Sequence, residues 1–171
     1  VYQLEFKVEP LKGYIPHIGQ LVTQMNYVRQ TTLEAVAGLS TQELDFLPIE
    51  NGNCIGALLL HIAAVEKGFQ IEFFDGRSPN EEEELKWGAA YSLGQKGREE
   101  IKGAPLDFYL KELEEVRART LDEFQSRDDN WLKDTCIWDG HEANQHFIWF
   151  HVLEDEINHR GQIRMIRKML P

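Results

Sequence analysis

Four long stretches of the sequence repeat their apolar residues at helical spacing, and none carries proline beyond its opening turn. The first runs from Pro16 to Gly38 through Ile18, Leu21, Val22, Met25 and Val28. The second runs from Cys54 to about Phe74, the third from Pro105 to Asp128, and the fourth from about Glu142 to Met169. Segments with one apolar face must bury it against one another, so the chain is expected to be all-α, a four-helix bundle. At 171 residues it suits one domain spanning 1–171.

The connections are unequal. Ser40-Thr41-Gln42-Glu43 reads as a capping box that opens a short helix before Pro48, and Asn53 stands where it can cap the second long helix. Asp75 to Asn80 is turn chemistry, and the stretch from there to Gly103 is long for a structureless link, so a short helix covering one end of the body is expected. Glu81 to Glu84 reads as a solvated loop or helix start. Trp131 to Trp138 reads as a weakly extended link closed by a turn at Asp139-Gly140, and residues 1–13, with Tyr2, Leu4, Phe6 and Val8, as an extended arm.

Composition narrows the partners. A net charge of −11 argues against nucleic acid, because phosphate contacts need a surplus of Lys and Arg on some face. No stretch reaches the roughly 20 apolar residues of a membrane helix, and no signal-peptide pattern follows Val1, so no membrane partner and a reducing, cytoplasmic setting are expected. The two cysteines, Cys54 and Cys136, form no Cys-x-x-Cys motif or disulfide framework.

The chemistry gathers in the fourth helix. His151, Asp155 and His159 are spaced four apart and form a column of potential metal ligands. Each step drifts by about 40°, so a single ion takes one adjacent pair, and a third ligand must come from another helix. His61, in the middle of the second long helix, is the best candidate. Two imidazoles and a carboxylate with positions left open suit one divalent ion such as Zn, Ni or Fe(II) in a catalytic site. The same acids, with Glu154 and Glu156, can instead pair with Arg160 or Arg164, and spacing alone does not choose.

Three sharper motifs fail. His141 and His146 lie five apart, about 140° around a helix, and cannot clasp one ion as in a zinc protease. Glu156-Ile157-Asn158-His159 is one Glu-x-x-His motif where a di-iron bundle needs two. A nucleophile elbow for a Ser/His/Asp hydrolase is missing.

Asn144-Gln145-His146, then Asp155-x-x-x-His159-Arg160-Gly161-Gln162-Ile163, with the mid-helix His61, resembles the DinB-like metalloprotein superfamily, including its relatives of bacillithiol-transferase type. The resemblance implies an up-up-down-down bundle with a long connection between its second and third helices, often a homodimer, holding one divalent metal by a helix-two His and two helix-four residues. His61 and His159 fall on two of those positions; Asp155 stands where the family usually has His, with His151 as alternative or supporting partner. The implied activity is transfer of a low-molecular-weight thiol to small electrophiles, the alternative being a non-catalytic, stress-associated bundle that binds metal or a small molecule. Gly161, at about 1 kcal/mol relative to Ala, is expected to allow close helix approach beside the site, while Arg160 and Gln162 reach neighbouring helices. Glu154 and Glu156 point away from the column and are expected at the surface or as supporting groups.

Overall fold

The structure is a computed structural model that describes residues 6–171; the reading of Tyr2 and Leu4 as part of an arm lies outside them. Helix α1 (Pro16–Val36) starts with proline in its first turn, where the missing N–H costs no bond. Helix α2 (Thr41–Leu44) carries the capping box: Ser40 Oγ accepts from the Glu43 N–H at 3.3 Å, and the Glu43 carboxylate accepts from the Ser40 N–H at 2.8 Å. Helix α3 (Ile55–Phe69) is capped by the Cys54 thiol, which accepts from the Ala57 N–H at 3.4 Å, rather than by Asn53. It continues into one wide π turn, Gln70–Phe74.

The connection after α3 holds two helices. Helix α4 (Glu81–Ser92) has its own capping box between Asn80 and Glu83. The four glutamates form its first turn, where the helix dipole favours negative charge. Helix α5 (Gly94–Glu100) follows, then the long α6 (Leu106–Gln125). Strands β1 (Thr135–Trp138) and β2 (His141–Asn144) pair antiparallel, with Trp138 opposite His141. Asp139 and Gly140 both take positive φ, the two-residue turn that matches strand twist. Helix α7 (Gln145–Lys168) therefore begins three residues later than Glu142, because the Glu142 backbone is spent on the ladder and Asn144 caps the helix through the Phe147 N–H at 2.8 Å. The chain is mostly helical, as its periodicity predicts, with this hairpin as the exception.

Helix α3 is the hub, in contact with α4, α6 and α7, while α1 packs mainly on α7. Two apolar clusters fix the directions of the long helices. One joins the C-terminal parts of α1 and α7 (Val36, Ile163) to the N-terminal parts of α3 and α6 (Leu58, Tyr109). The other joins Ile18 and Trp149, near the starts of α1 and α7, to Phe69 and Phe124, at the far ends of α3 and α6. Helices α1 and α7 thus run one way and α3 and α6 the other, an up-down-down-up order that corrects the up-up-down-down expectation. The reason is in the connections: α1 to α3 and α6 to α7 turn back at one end, whereas residues 75–105 return along the length of the body.

Between the clusters lies a layer of buried charge, one residue from each long helix. Arg29 Nε donates to Glu156 Oε1 at 2.8 Å, and Arg117 donates to Glu66 at 2.8 and 3.0 Å and to Glu156 at 3.0 Å. Spare guanidinium N–H groups donate to the carbonyls of Leu113 and Met25, and the Thr120 hydroxyl donates to Glu66. Glu156 is fully buried, which corrects the surface reading. Burial alone pushes its carboxyl upward, but the charges of Arg29 and Arg117 prevail and hold it low.

Candidate metal centre

His61 sits on α3 and Asp155 and His159 on α7, two elements in direct contact, so the three side chains meet at their interface. His159 Nε2 lies 3.3 Å and His61 Nε2 3.8 Å from Asp155 Oδ1. The two rings stand nearly perpendicular with centroids 4.6 Å apart, and one ligand atom from each residue falls within 4.8 Å of the others. All three side chains are about nine-tenths covered.

The far side of each ring assigns the protons. His61 Nδ1 lies 2.8 Å from the Ala90 carbonyl oxygen, which can only accept, so Nδ1 carries the hydrogen. His159 Nδ1 donates in the same way to Gln162 Oε1 at 3.2 Å. In the neutral rings both Nε2 atoms then present lone pairs toward a carboxylate. Three electron-rich groups converge with no donor among them, and Asp155 Oδ2 is buried without a hydrogen-bond partner among the described residues. Positive charge must enter the space between them, as a proton or as a metal cation.

The electrostatics agree. Burial pushes the Asp155 carboxyl up, but the hydrogen bonds and charges of His159 and His61 outweigh it and bring it to about 2. Burial works against protonated His159, yet the Asp155 carboxylate overrides it and raises the imidazole above its ordinary value. The donor set of two imidazoles and one carboxylate fits a divalent transition-metal ion, and the second nitrogen of each ring is already held, as ligating histidines require.

Other predicted residues fall elsewhere. His151 stands outside the cluster, packed between Trp138 and Phe69 with Nδ1 3.2 Å from Glu154. His17 pairs with Asp129 at 2.8 Å and ties the start of α1 to the chain after α6. His141 lies on β2 and His146 on α7, so the zinc-protease spacing does not even share one helix. Arg160 does reach α1, donating to Thr31, while Gln162 serves its own helix through His159. Gly161 makes no close approach within the described residues: a Cβ there meets nothing within 4 Å.

Sequence reasoning expected a short helix in the connection after α3 but not the place of α4 beside His61. Its Ala90 carbonyl orients His61, and its Trp87 and Tyr91, with Ala64, Lys67 and Gly68 of α3, line a cavity of about 550 Å³. Gly68 makes room for the Tyr91 ring, since a Cβ would stand 3.1 Å from it. The hydroxyl of Tyr91 is raised by burial and by the charges of Glu72 and Asp155. The Trp87–Tyr91 pair is the one signal in the sequence that pointed there.

The fold and this His/Asp/His cluster define a helical protein of DinB-like type. The chain belongs to the mycothiol-S-transferase family, whose model matches residues 20–170. Among solved structures it is similar to a crystal structure of a conserved protein from Enterococcus faecalis, with a TM-score of 0.68 and 15% identity over 87% of this chain and 94% of that one. That likeness concerns the fold. No curated protein matches the chain.

Proposed function

We propose that the protein is a divalent-metal-dependent thiol S-transferase in which His61, Asp155 and His159 hold the ion. The observation that carries the reading is the convergence of two imidazole lone pairs on a buried carboxylate whose second oxygen has no partner among the described residues. Membership in the mycothiol-S-transferase family supports the reaction class. The four long helices form one four-helix bundle and a single domain in this reading.

A divalent ion at these ligands, Zn, Ni or Fe(II), supplies the positive charge that keeps a thiol deprotonated at neutral pH, the nucleophilic form. The residues do the rest. Ala90 and Gln162 fix both imidazoles with Nε2 inward, and the burial of the three side chains limits water at the site. The cavity between α3 and α4, whose wall includes Tyr91 but none of the three ligands, gives a small substrate room, with the Tyr91 hydroxyl as a hydrogen-bond donor. The transfer forms a sulfur–carbon bond, releases the thiol proton and expels the leaving group with its electron pair.

Metal content of protein purified without an affinity tag tests the ligand set. About one ion per chain is expected, lost in His61→Ala, Asp155→Ala and His159→Ala and kept in His151→Ala. Loss in the histidine variants but not in Asp155→Ala would remove the carboxylate from the set. Metal-loaded protein that consumes no low-molecular-weight thiol in the presence of electrophiles would leave a metal-binding protein without turnover.

A further inference from the structure

Helices α1 and α6 meet far less closely than α1 meets α7 or α3 meets α6. Along their seam lies a cavity of about 680 Å³. Its walls are apolar, with Leu33 on α1 and Leu110, Leu113 and Leu121 on α6, and small Ala118 stands midway along the α6 side. The metal centre belongs to the contact of α3 with α7, and none of its three ligands lines this cavity. An apolar cavity of this size between bundle helices, with a few placed polar groups, is the usual form of a small-molecule site.

The placed polar groups are the two buried arginines. Arg29 and Arg117 line the cavity while each is more than nine-tenths buried. Each reaches across the seam. Arg29 Nη1 donates to the Leu113 carbonyl of α6 at 2.8 Å, and Arg117 Nη1 donates to the Met25 carbonyl of α1 at 3.2 Å. The Nε and Nη2 hydrogens of both are spent on Glu66 and Glu156. A guanidinium carries five N–H groups, so one on each Nη1 is left without an acceptor among the described residues. A buried donor without an acceptor is costly, and these two stand at the seam where the cavity opens. One turn before Arg29, the half-buried Asn26 amide also lines the cavity and makes no hydrogen bond among the described residues.

We propose that the α1–α6 cavity is a second ligand site, which takes an uncharged, mainly apolar molecule carrying an acceptor oxygen such as a ketone or ester carbonyl. The apolar part lies along the leucines, and the oxygen accepts from the unspent Nη1 hydrogens of Arg29 and Arg117. Charge selects a neutral oxygen over a carboxylate. Two arginines and two glutamates already balance in the layer, Glu114 and Asp122 flank the cavity, and the chain carries a net charge of −11. A carboxylate would therefore be desolvated without a counter-charge of its own. The site is independent of the metal reading, since it shares no residue with the His61, Asp155 and His159 cluster.

Three probes of one shape test it on the full chain: benzylacetone, its carboxylate counterpart hydrocinnamate and its hydrocarbon counterpart butylbenzene. In calorimetric titration benzylacetone is expected to bind at least about tenfold tighter than either, the worth of a hydrogen bond from a charged donor. In NMR it shifts the side-chain nitrogen resonances of Arg29 and Arg117, whereas butylbenzene leaves them in place. Ala118→Trp fills the cavity from an exposed position and abolishes binding, with metal content unchanged. Failure of benzylacetone to bind at about 10 mM, weaker than any specific small-molecule site, overturns the proposal. So does equal or tighter binding of butylbenzene or hydrocinnamate, or binding indifferent to Ala118→Trp. Binding that appears only after residues 1–5 are removed makes that segment the occupant and overturns it as well. The arginine resonances are read on the wild type, so they decide the matter even where Ala118→Trp does not fold.

Discussion

Asp155 and Glu156 are adjacent in sequence and belong to different machinery. Asp155 faces α3 and the two imidazoles; Glu156, about 100° further round α7, enters the charge layer shared with Arg29 and Arg117. Replacing Glu156 with Ala leaves Glu66 alone to balance two buried guanidinium groups, and a loss of about 3–5 kcal/mol in denaturant unfolding is expected. The histidine gives a pH test. Folded-state His159 lies above its unfolded value, so in metal-free protein its contribution is present below the unfolded pKa and is lost as pH rises through the raised one. Asp155, brought down to about 2, contributes above its unfolded value and loses that contribution as pH falls toward 2. An NMR titration of metal-free protein is expected to show the His159 midpoint above 6.5 and to show it fall in Asp155→Asn. Bound metal is expected to remove this titration altogether and to be released as acid protonates the ligands. The pairing of Asp155 with His159 was legible at this scale because i and i+4 share a helix face, whereas His151, one step further, falls outside the cluster. Glu156 was not, because a sequence does not say how many sides of its helix are covered.

At the scale of elements, α7 is aimed by its start. The hairpin hands the chain over at Asn144, whose side chain caps the helix, and Asn144→Ala is expected to cost about 1 kcal/mol in thermal or chemical unfolding. Close packing of α3 on α6 depends on Gly56, where a Cβ would stand 2.7 Å from the Tyr109 hydroxyl. Tyr109 is fully buried, so Gly56→Ala forces a core shift and is expected to cost about 1–3 kcal/mol by the same measurement. The capping boxes of α2 and α4 and the turn at Asp139-Gly140 were readable in the sequence because they are local chemistry. Of the hairpin strands β1 lies in the stretch read as weakly extended, but β2 was not separated from the helix start, because four residues with one face on α7 give too short an alternation.

For the whole molecule, the four charges of the buried layer are each contributed by a different long helix, so the layer matches only when all four are in register. The order of those helices rests on the stretch from residue 75 to 105, which returns along the body and carries α4 to the side of His61. None of the described helices is long and apolar enough to cross a membrane. By itself the sequence determined the helical class, the four long segments, the long connection and the three side chains of the candidate centre, because periodicity, capping and i, i+4 spacing are properties of a single helix. Tertiary structure decided the direction of each helix, the burial of Glu156 among arginines, the carbonyl that orients His61 and the open space over Gly161. Each of these depends on which helix lies beside which, and that is settled by the packing of all faces together.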